Sequence, residues 1–587
     1  MVENKSRNLY PLFIAPTVST LYLLIGRFGF DPHHQGLMLA AANAQANGLL
    51  PFKNYLAMYG PFVSLAQSIG VSLFGPNVIS IIIISVLALS LGFTLFWYLV
   101  SSLYGRVAAN ITLALTIAST PFFRTFYTIL PWNSDFILLF QVLLIHQIFR
   151  LIQIGQYKKA QLNEMVVAIL LAMILWSRLT VGILTVLAIL TSFLVLGMKK
   201  ELKNIFIYFI VGNLLGIIYL VYTGSVNDFI FQYISFPRSI FVNRLGFNGF
   251  VLIIKLFVLY LPISLVIFVF LTDSRRKKSK FPSSVQRVST LVFALIEISL
   301  LMALGKINLL VGWQLLHWVI AILFLLGPVL GLLKRVIARE YVGFSLMEKK
   351  ESAFICVALA SLAQIFPISD SYHLWWSLVP ATGVTIGWVI KGNSFSELKK
   401  VCSLGVLIVL CIFSLFEIES RVNSDWVLAP NIRPVSGLYV SSSQADTLIP
   451  LFELASKFQD EAGDKTVLNM CGDGVYASIG RDQSFQSPFF ISWPGIEIEL
   501  DNPRVQEFIR LKQPIIFACN FLNNKQFERF KLDISKIQYS IVKIEKCRSV
   551  GRGLPGLIMS YPHTWLATDK DLKMLRPQIC LEMLSQD

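Results

Sequence analysis

DPHHQGLMLAAANAQANGLLPFKNYLAMYGP, residues Asp31–Pro61, decides how this chain is read. It follows a mostly apolar run from Asn8 to Phe28, which at about twenty residues is long enough to cross a bilayer. It opens with one carboxylate, Asp31, and two imidazoles, His33 and His34, just where that run ends. Polar chemistry therefore sits at a membrane surface. Leu37 to Ala46 reads as a short, Ala-rich helix lying along the interface, ended by Asn47-Gly48 as a C-cap with Pro51 beyond it. A membrane protein without chemistry outside the bilayer needs only a short turn here.

Working outward, composition sets the class. Of 587 residues, 55% are hydrophobic and 14% charged, too apolar a balance for a soluble globular protein. The expected fold is a polytopic α-helical membrane protein. The net charge of +16 does not argue for nucleic acid, because Lys and Arg fall mainly in short runs between apolar segments, where membrane orientation requires them. No small-residue cleavage site follows the first apolar run, so it is expected to stay as a signal anchor.

Spans are expected near 8–28, 77–102, 107–121, 136–155, 165–180, 182–198, 204–222, 249–272, 288–305, 313–333, 353–368, 377–390 and 401–418. That is about thirteen transmembrane helices. The basic connections include Lys5 with Arg7, Arg150 with Lys158-Lys159, Lys199-Lys200 with Lys203, Arg275 to Lys278, Lys334 to Lys350 and Lys391 to Lys400. All fall on one face, which the positive-inside rule makes cytoplasmic. The first loop, 29–76, and everything after 419 then lie outside, in keeping with a bacterial plasma membrane protein.

The segment from Glu164 to Leu196 resists simple counting. Basic loops bracket it, yet two full spans need roughly forty residues. Two short helices meeting around Ser177 to Gly182, below the outer surface, solve the problem, and they put Arg178 in a cavity instead of lipid. From Glu419 the apolar runs shorten. Residues 1–418 thus form the membrane domain and 419–587 a small extracytoplasmic α/β domain, with helices at Thr447–Asp460 and Pro503–Leu511 and strands at Val467–Met470 and Pro514–Ala518. Cys471, Cys519, Cys547 and Cys580 fall in that outer part, where disulfides are permitted, and no cysteine spacing suggests zinc.

Three outer loops carry acids or imidazoles. Asp31 opens the first, Asp135 lies in FFRTFYTILPWNSD, and Asp370 with His373 lies in FPISDSYHLWW. A carboxylate at the mouth of a span is costly unless it meets water, a cation or a substrate. Each also has a plain structural reading: Asp31 as a helix-boundary residue, Asp135 as a member of an N-cap. Basic residues on this face run against the topology rule. Arg124, Arg178, Arg238, Arg244 and Lys306 are all placed there. Snorkelling accounts for some. A phosphate is the natural partner for the rest, Arg178 above all, then Arg238 and Arg244.

DPHHQG, GLLPFKNYLAMYGP, LFGP (Leu73 to Pro76), PWNSD, SRLTVG (Ser177 to Gly182) and FPISDSYHL together resemble the landmarks of the GT-C superfamily of integral membrane glycosyltransferases. The resemblance is to the protein-mannosyltransferase-like, polyprenyl-phosphate-sugar-dependent branch. It covers roughly residues 8 to 400 and is specific in the first loop. It implies an enzyme that moves a sugar, hexose or pentose, from a polyprenyl-phosphate donor to an extracytoplasmic hydroxyl on a lipid, glycan or protein, with inversion. By carry-over, Asp31 is the general base and Asp135 a second acid that orients the acceptor or holds a cation. His33, His34, Tyr59, Arg178, Arg238, Arg244, Asp370 and His373 are the substrate-binding candidates. The chain departs from the pattern at Gln35, where many relatives carry an acid. A metal site of paired carboxylates is thus in doubt, and the cofactor stays open between a divalent metal and none. Two other classes fit parts of the chain: a lipid-linked-sugar flippase or transporter, which more often shows repeated halves, and a polysaccharide polymerase or ligase, which would develop a late loop instead of the first.

Overall fold

The computed structural model describes residues 10–32, 34–57, 59–120, 129–154, 160–235, 344–365, 371–391 and 422–442, positions 444, 445, 449, 452, 507 and 509–511, and five strands beyond 466. The helices are α1 (Tyr10–Gly26), α2 (His34–Ala46), α3 (Pro61–Phe74), α4 (Val78–Tyr104), α5 (Arg106–Ala118), α6 (Asn133–Ile154), α7 (Ala160–Ser177), α8 (Leu179–Val195), α9 (Lys199–Thr223) and α10 (Val226–Ile230). A π-helical turn, Phe231–Ser235, follows α10. After residue 343 come α11 (Leu346–Ser361), a 3-10 turn (Leu362–Ile365) and α12 (Ser371–Lys391).

These helices are assembled for lipid. α4, α6 and α9 are each long and apolar enough to cross a bilayer, and the protein is a membrane protein. Around α4 pack α1, α3, α5, α6 and α12. The inward face of α4 carries serines, Ser80, Ser85 and Ser90, among large apolar side chains such as Phe93, Phe96 and Trp97. Its outward face shows Leu87, Leu91 and Tyr98. Without water, a polar side chain is best placed between helices and an apolar one outside. α3 follows the same inverted rule: Leu65, Ile69, Leu73 and Phe74 are exposed, while Gln67 is buried and donates from Nε2 to Ser85 Oγ of α4 at 3.1 Å. The sequence reading assigned no helix there.

Helices stand at the other expected spans among the described residues, within five residues at each end except α11, which begins and ends seven residues before the expected 353–368, and α12, which begins six residues before 377. The expected pair around Arg178 is present as α7 and α8, of 18 and 17 residues, roughly 26 Å each at 1.5 Å per residue. Arg178 alone separates them, in extended backbone. A Cβ on Gly182 would stand 2.3 Å from Leu175 Cα, so glycine is what lets α8 close onto α7. The spans expected at 249–272, 288–305, 313–333 and 401–418 lie outside the described residues.

After the last span, β1 (Trp426–Leu428) and β2 (Tyr439–Ser441) pair antiparallel. Ala429, Val435, Leu438, Val440 and Phe452 are buried in the same core as α1, α4 and α6. Further on, β3 (Val467–Met470), β4 (Ile515–Ala518), β5 (Tyr539–Glu545), β6 (Leu557–Pro562) and β7 (Cys580–Met583) form one sheet in the order β3-β4-β6-β5-β7. Both expected strands are in it, as the parallel pair β3 and β4. In the two expected helices the described residues are helical: Ile449 and Phe452 in the first, Glu507 and Ile509 to Leu511 in the second.

Candidate functional site

Asp31 follows the C-terminal end of α1 and begins the next helix. Its Oδ1 accepts from the His34 backbone N–H at 3.2 Å, the N-cap geometry that satisfies an orphan donor of α2. Capping explains why α2 starts three residues before the expected Leu37. Oδ2 lies 2.6 Å from His34 Nδ1. One carboxylate thus fixes both the backbone and the ring of His34, while keeping only 5% of its surface exposed. This is the arrangement in which a carboxylate sets the tautomer of an imidazole.

Gln35, the departure from the family pattern, has a structural task. Its Oε1 accepts from Asp31 N–H at 3.0 Å and its Nε2 donates to the Leu130 carbonyl at 3.3 Å. A side-chain amide accepts at one atom and donates at another. It therefore joins the first loop to the segment Ile129–Trp132 without burying a charge.

That segment carries the centre of the site. The Trp132 ring stacks on His34 with centroids 4.6 Å apart, meets His373 edge-on at 5.6 Å, and packs on Trp376 at 5.2 Å. Beneath it, Asp135 is fully buried in the first turn of α6. Its Oδ2 accepts from Trp132 N–H and its Oδ1 from Trp376 Nε1–H, both at 3.1 Å. Asp135 holds two tryptophans in place.

Arg178, half-buried at the α7–α8 break, donates from Nη1 to Ser134 Oγ at 3.4 Å and from Nη2 to the Gln364 carbonyl at 3.1 Å. Its backbone neighbour Ser177 accepts through its carbonyl from Asn133 Nδ2 at 3.5 Å. The broken span, the start of α6 and the 3-10 turn after α11 thus meet at one cation.

Tyr59 lies farther along, in a small cleft between α2 and α3 with Leu37, Met38, Ala41 and Val63. The corner carrying it is held from several sides. Gln232 of the π-helical turn donates to the Phe52 carbonyl and accepts from Ala57 N–H, both at 2.8 Å. Tyr55 donates its hydroxyl to Gln45 Oε1 and pairs with Ser64 Oγ at 2.9 Å. Burial pushes the Tyr55 hydroxyl well above the usual phenol range, so it stays a donor.

The structure brings Asp31, His34, Asp135, Arg178 and His373 together through Trp132 and Ser134, and puts Tyr59 in the separate cleft between α2 and α3. His33, Arg124, Arg238, Arg244, Lys306 and Asp370 lie outside the described residues. Among the described residues, no group of three His, Cys, Asp or Glu side chains is placed to hold a metal. Sequence reasoning passed over Trp132 and Trp376, although both stand inside stretches it singled out. The signal was there: a tryptophan in each of two acid-bearing stretches, PWNSD and FPISDSYHLWW, with an indole N–H able to reach a buried carboxylate.

No protein-family model matches the chain, and no curated protein matches it in sequence. Among solved structures, it is similar to an oligosaccharyltransferase of Archaeoglobus fulgidus in complex with Zn and sulfate, at 13% identity and a TM-score of 0.44, over 91% of this chain and 72% of that one. It is similar also to ArnT from Cupriavidus metallidurans bound to undecaprenyl phosphate, at 12% identity and a TM-score of 0.40, over 94% and 97%.

Proposed function

We propose that this protein is a membrane glycosyltransferase that moves a sugar from a polyprenyl-phosphate donor to an acceptor hydroxyl on the outer face of the membrane. The observation that carries the proposal is the Asp31–His34 pair, 2.6 Å apart, with Asp31 buried and the His34 ring part-exposed just beyond α1. The pair is the general base. His34, held through Nδ1 by the Asp31 carboxylate, takes the acceptor proton on Nε2 as the acceptor oxygen attacks the anomeric carbon. The bond from that carbon to the phosphate oxygen breaks, and the phosphate leaves with its negative charge. Arg178 is the cation for it, because guanidinium matches phosphate oxygens and the α7–α8 break brings it inside the bundle. Attack from the side of the base and departure toward the cation give inversion. Trp132, stacked on His34 and edge-on to His373, holds the imidazole in place.

The test is turnover by the purified full-length chain with a panel of polyprenyl-phosphate hexoses and pentoses, following donor consumption. Asp31→Asn preserves shape and removes the charge that holds the imidazole. It is expected to lower turnover by about a hundred- to ten-thousandfold, with donor binding and folded yield near wild type. Wild-type turnover in Asp31→Asn overturns the assignment. Loss in His34→Gln equal to that in Asp31→Asn supports the relay through Nε2, and retained turnover in His34→Gln leaves the carboxylate as the base by itself.

A further inference from the structure

The peptide between Phe30 and Asp31 is held on both sides by glutamines, and one of them comes from the far end of the chain. Its N–H, on Asp31, goes to Gln35 Oε1 at 3.0 Å. Its carbonyl, on Phe30, accepts from Gln444 Nε2 at 2.7 Å. Gln444 is 4% exposed and lies beyond every expected span. A peptide plane bonded through both its N–H and its carbonyl cannot rotate without losing a bond, and the Cα it carries is that of Asp31.

The neighbourhood of Gln444 is built to bring it there. Tyr439 N–H donates to the Arg27 carbonyl at 2.7 Å, and Gly29 N–H donates to the Tyr439 carbonyl at 2.8 Å. Arg27 Nε donates to the Gly437 carbonyl at 3.0 Å. The Phe28 and Tyr439 rings stack at 4.6 Å, and Phe30 meets Phe452 edge-on at 6.4 Å. Each residue from Arg27 to Phe30, the run leading into Asp31, thus touches the segment 437–452.

We infer that Gln444 is a positioning residue for the reaction: it sets the Asp31 carboxylate through the Phe30–Asp31 peptide, so the segment after the last span is part of the catalytic machinery. The inference rests on the proposed role of Asp31. A side chain that works through another loses its effect when that other is disabled, and a double-mutant cycle reads this directly.

The experiment uses the full-length chain and whichever polyprenyl-phosphate sugar of the panel turns over fastest. Gln444→Met keeps the length and removes the donor. It is expected to lower kcat by up to about a hundredfold, the scale of a misplacement near 1 Å, with KM for the donor at wild type. The Phe30 carbonyl left without its donor lowers the thermal midpoint equally with Asp31 or Asn at position 31. In the Asp31→Asn chain the same change is expected to cost no further kcat. Wild-type kcat in Gln444→Met, or the same fold-loss in both backgrounds, overturns the inference and leaves the role of Asp31 standing. Wild-type kcat in Asp31→Asn overturns both. Should Gln444→Met not fold, Gln444→Asn, which keeps the amide and shortens its reach, goes through the same cycle: a loss of kcat confined to the chain with Asp31 intact supports the inference, and wild-type kcat or an equal loss in both backgrounds overturns it.

Discussion

Two carboxylates singled out from the sequence have different partners, and the difference decides what asparagine does at each. Asp31 faces an imidazole ring nitrogen; Asp135 faces two N–H donors, the Trp132 amide and the Trp376 indole. Asparagine at 31 keeps an acceptor for the cap. At 135 it leaves one of two buried donors facing an NH₂ group. Asp135→Asn is therefore expected to destabilise the fold by about 1–3 kcal/mol, seen as a lower thermal midpoint and altered tryptophan fluorescence. Asp31→Asn is expected to leave the midpoint in place. Equal midpoints for the two variants would mean that Asp135 does not carry the tryptophans. That Asp31 and Asp135 stand at the ends of apolar runs was legible in the sequence, because a charge there is conspicuous. Which acid meets which partner was not. Trp132 and Trp376 are far apart in the chain, and no local pattern says that both indoles converge on one buried carboxylate.

At the scale of elements, apolar run length located α4, α6, α7, α8 and α9, and the shortfall between Glu164 and Leu196 located the break at Arg178. α3 escaped because its pattern is turned inside out. Its polar Gln67 and Ser68 are buried and its leucines face outward, so a rule made for water reads it as a loop. The corner before it shows what glycine contributes. Gly60 has φ of +76°, and a Cβ there would lie 1.6 Å from the Trp176 carbonyl oxygen, whereas Gly48, with φ of +78°, has nothing within 4 Å. Gly48→Ala is expected to cost only the left-handed backbone term, roughly 1–2 kcal/mol. Gly60→Ala must also push α7 away and is expected to lose most folded protein and all turnover. Purifying both variants and comparing yield by size-exclusion chromatography checks this. Similar yields would show that α7 and the Tyr59 corner are not in contact as described.

For the molecule as a whole, the question is how a segment that follows every span comes to lie beside the first. Composition placed a boundary near 419, since charge density rises there. Composition is blind to the pairing of β2 with Arg27 and Gly29, which is made by backbone atoms and depends on no side-chain pattern. Phe28 and Tyr439 form a parallel bridge with stacked rings, so their Cα atoms are expected to fall within the roughly 4.4–6.8 Å that a disulfide spans. The pair Phe28→Cys and Tyr439→Cys is therefore expected to cross-link when intact cells are treated with an oxidant that does not cross the membrane. After protease cleavage between the two positions, the fragments should stay joined on a non-reducing gel and separate on reduction. Either single substitution should give no joined fragments. Cross-linking that needs lysed cells would put this face of the protein, with Asp31 and His34, on the cytoplasmic side, where the proposed acceptor hydroxyl is not. No cross-link under any condition would release the C-terminal segment from the first loop and remove the means by which Gln444 reaches the Phe30–Asp31 peptide.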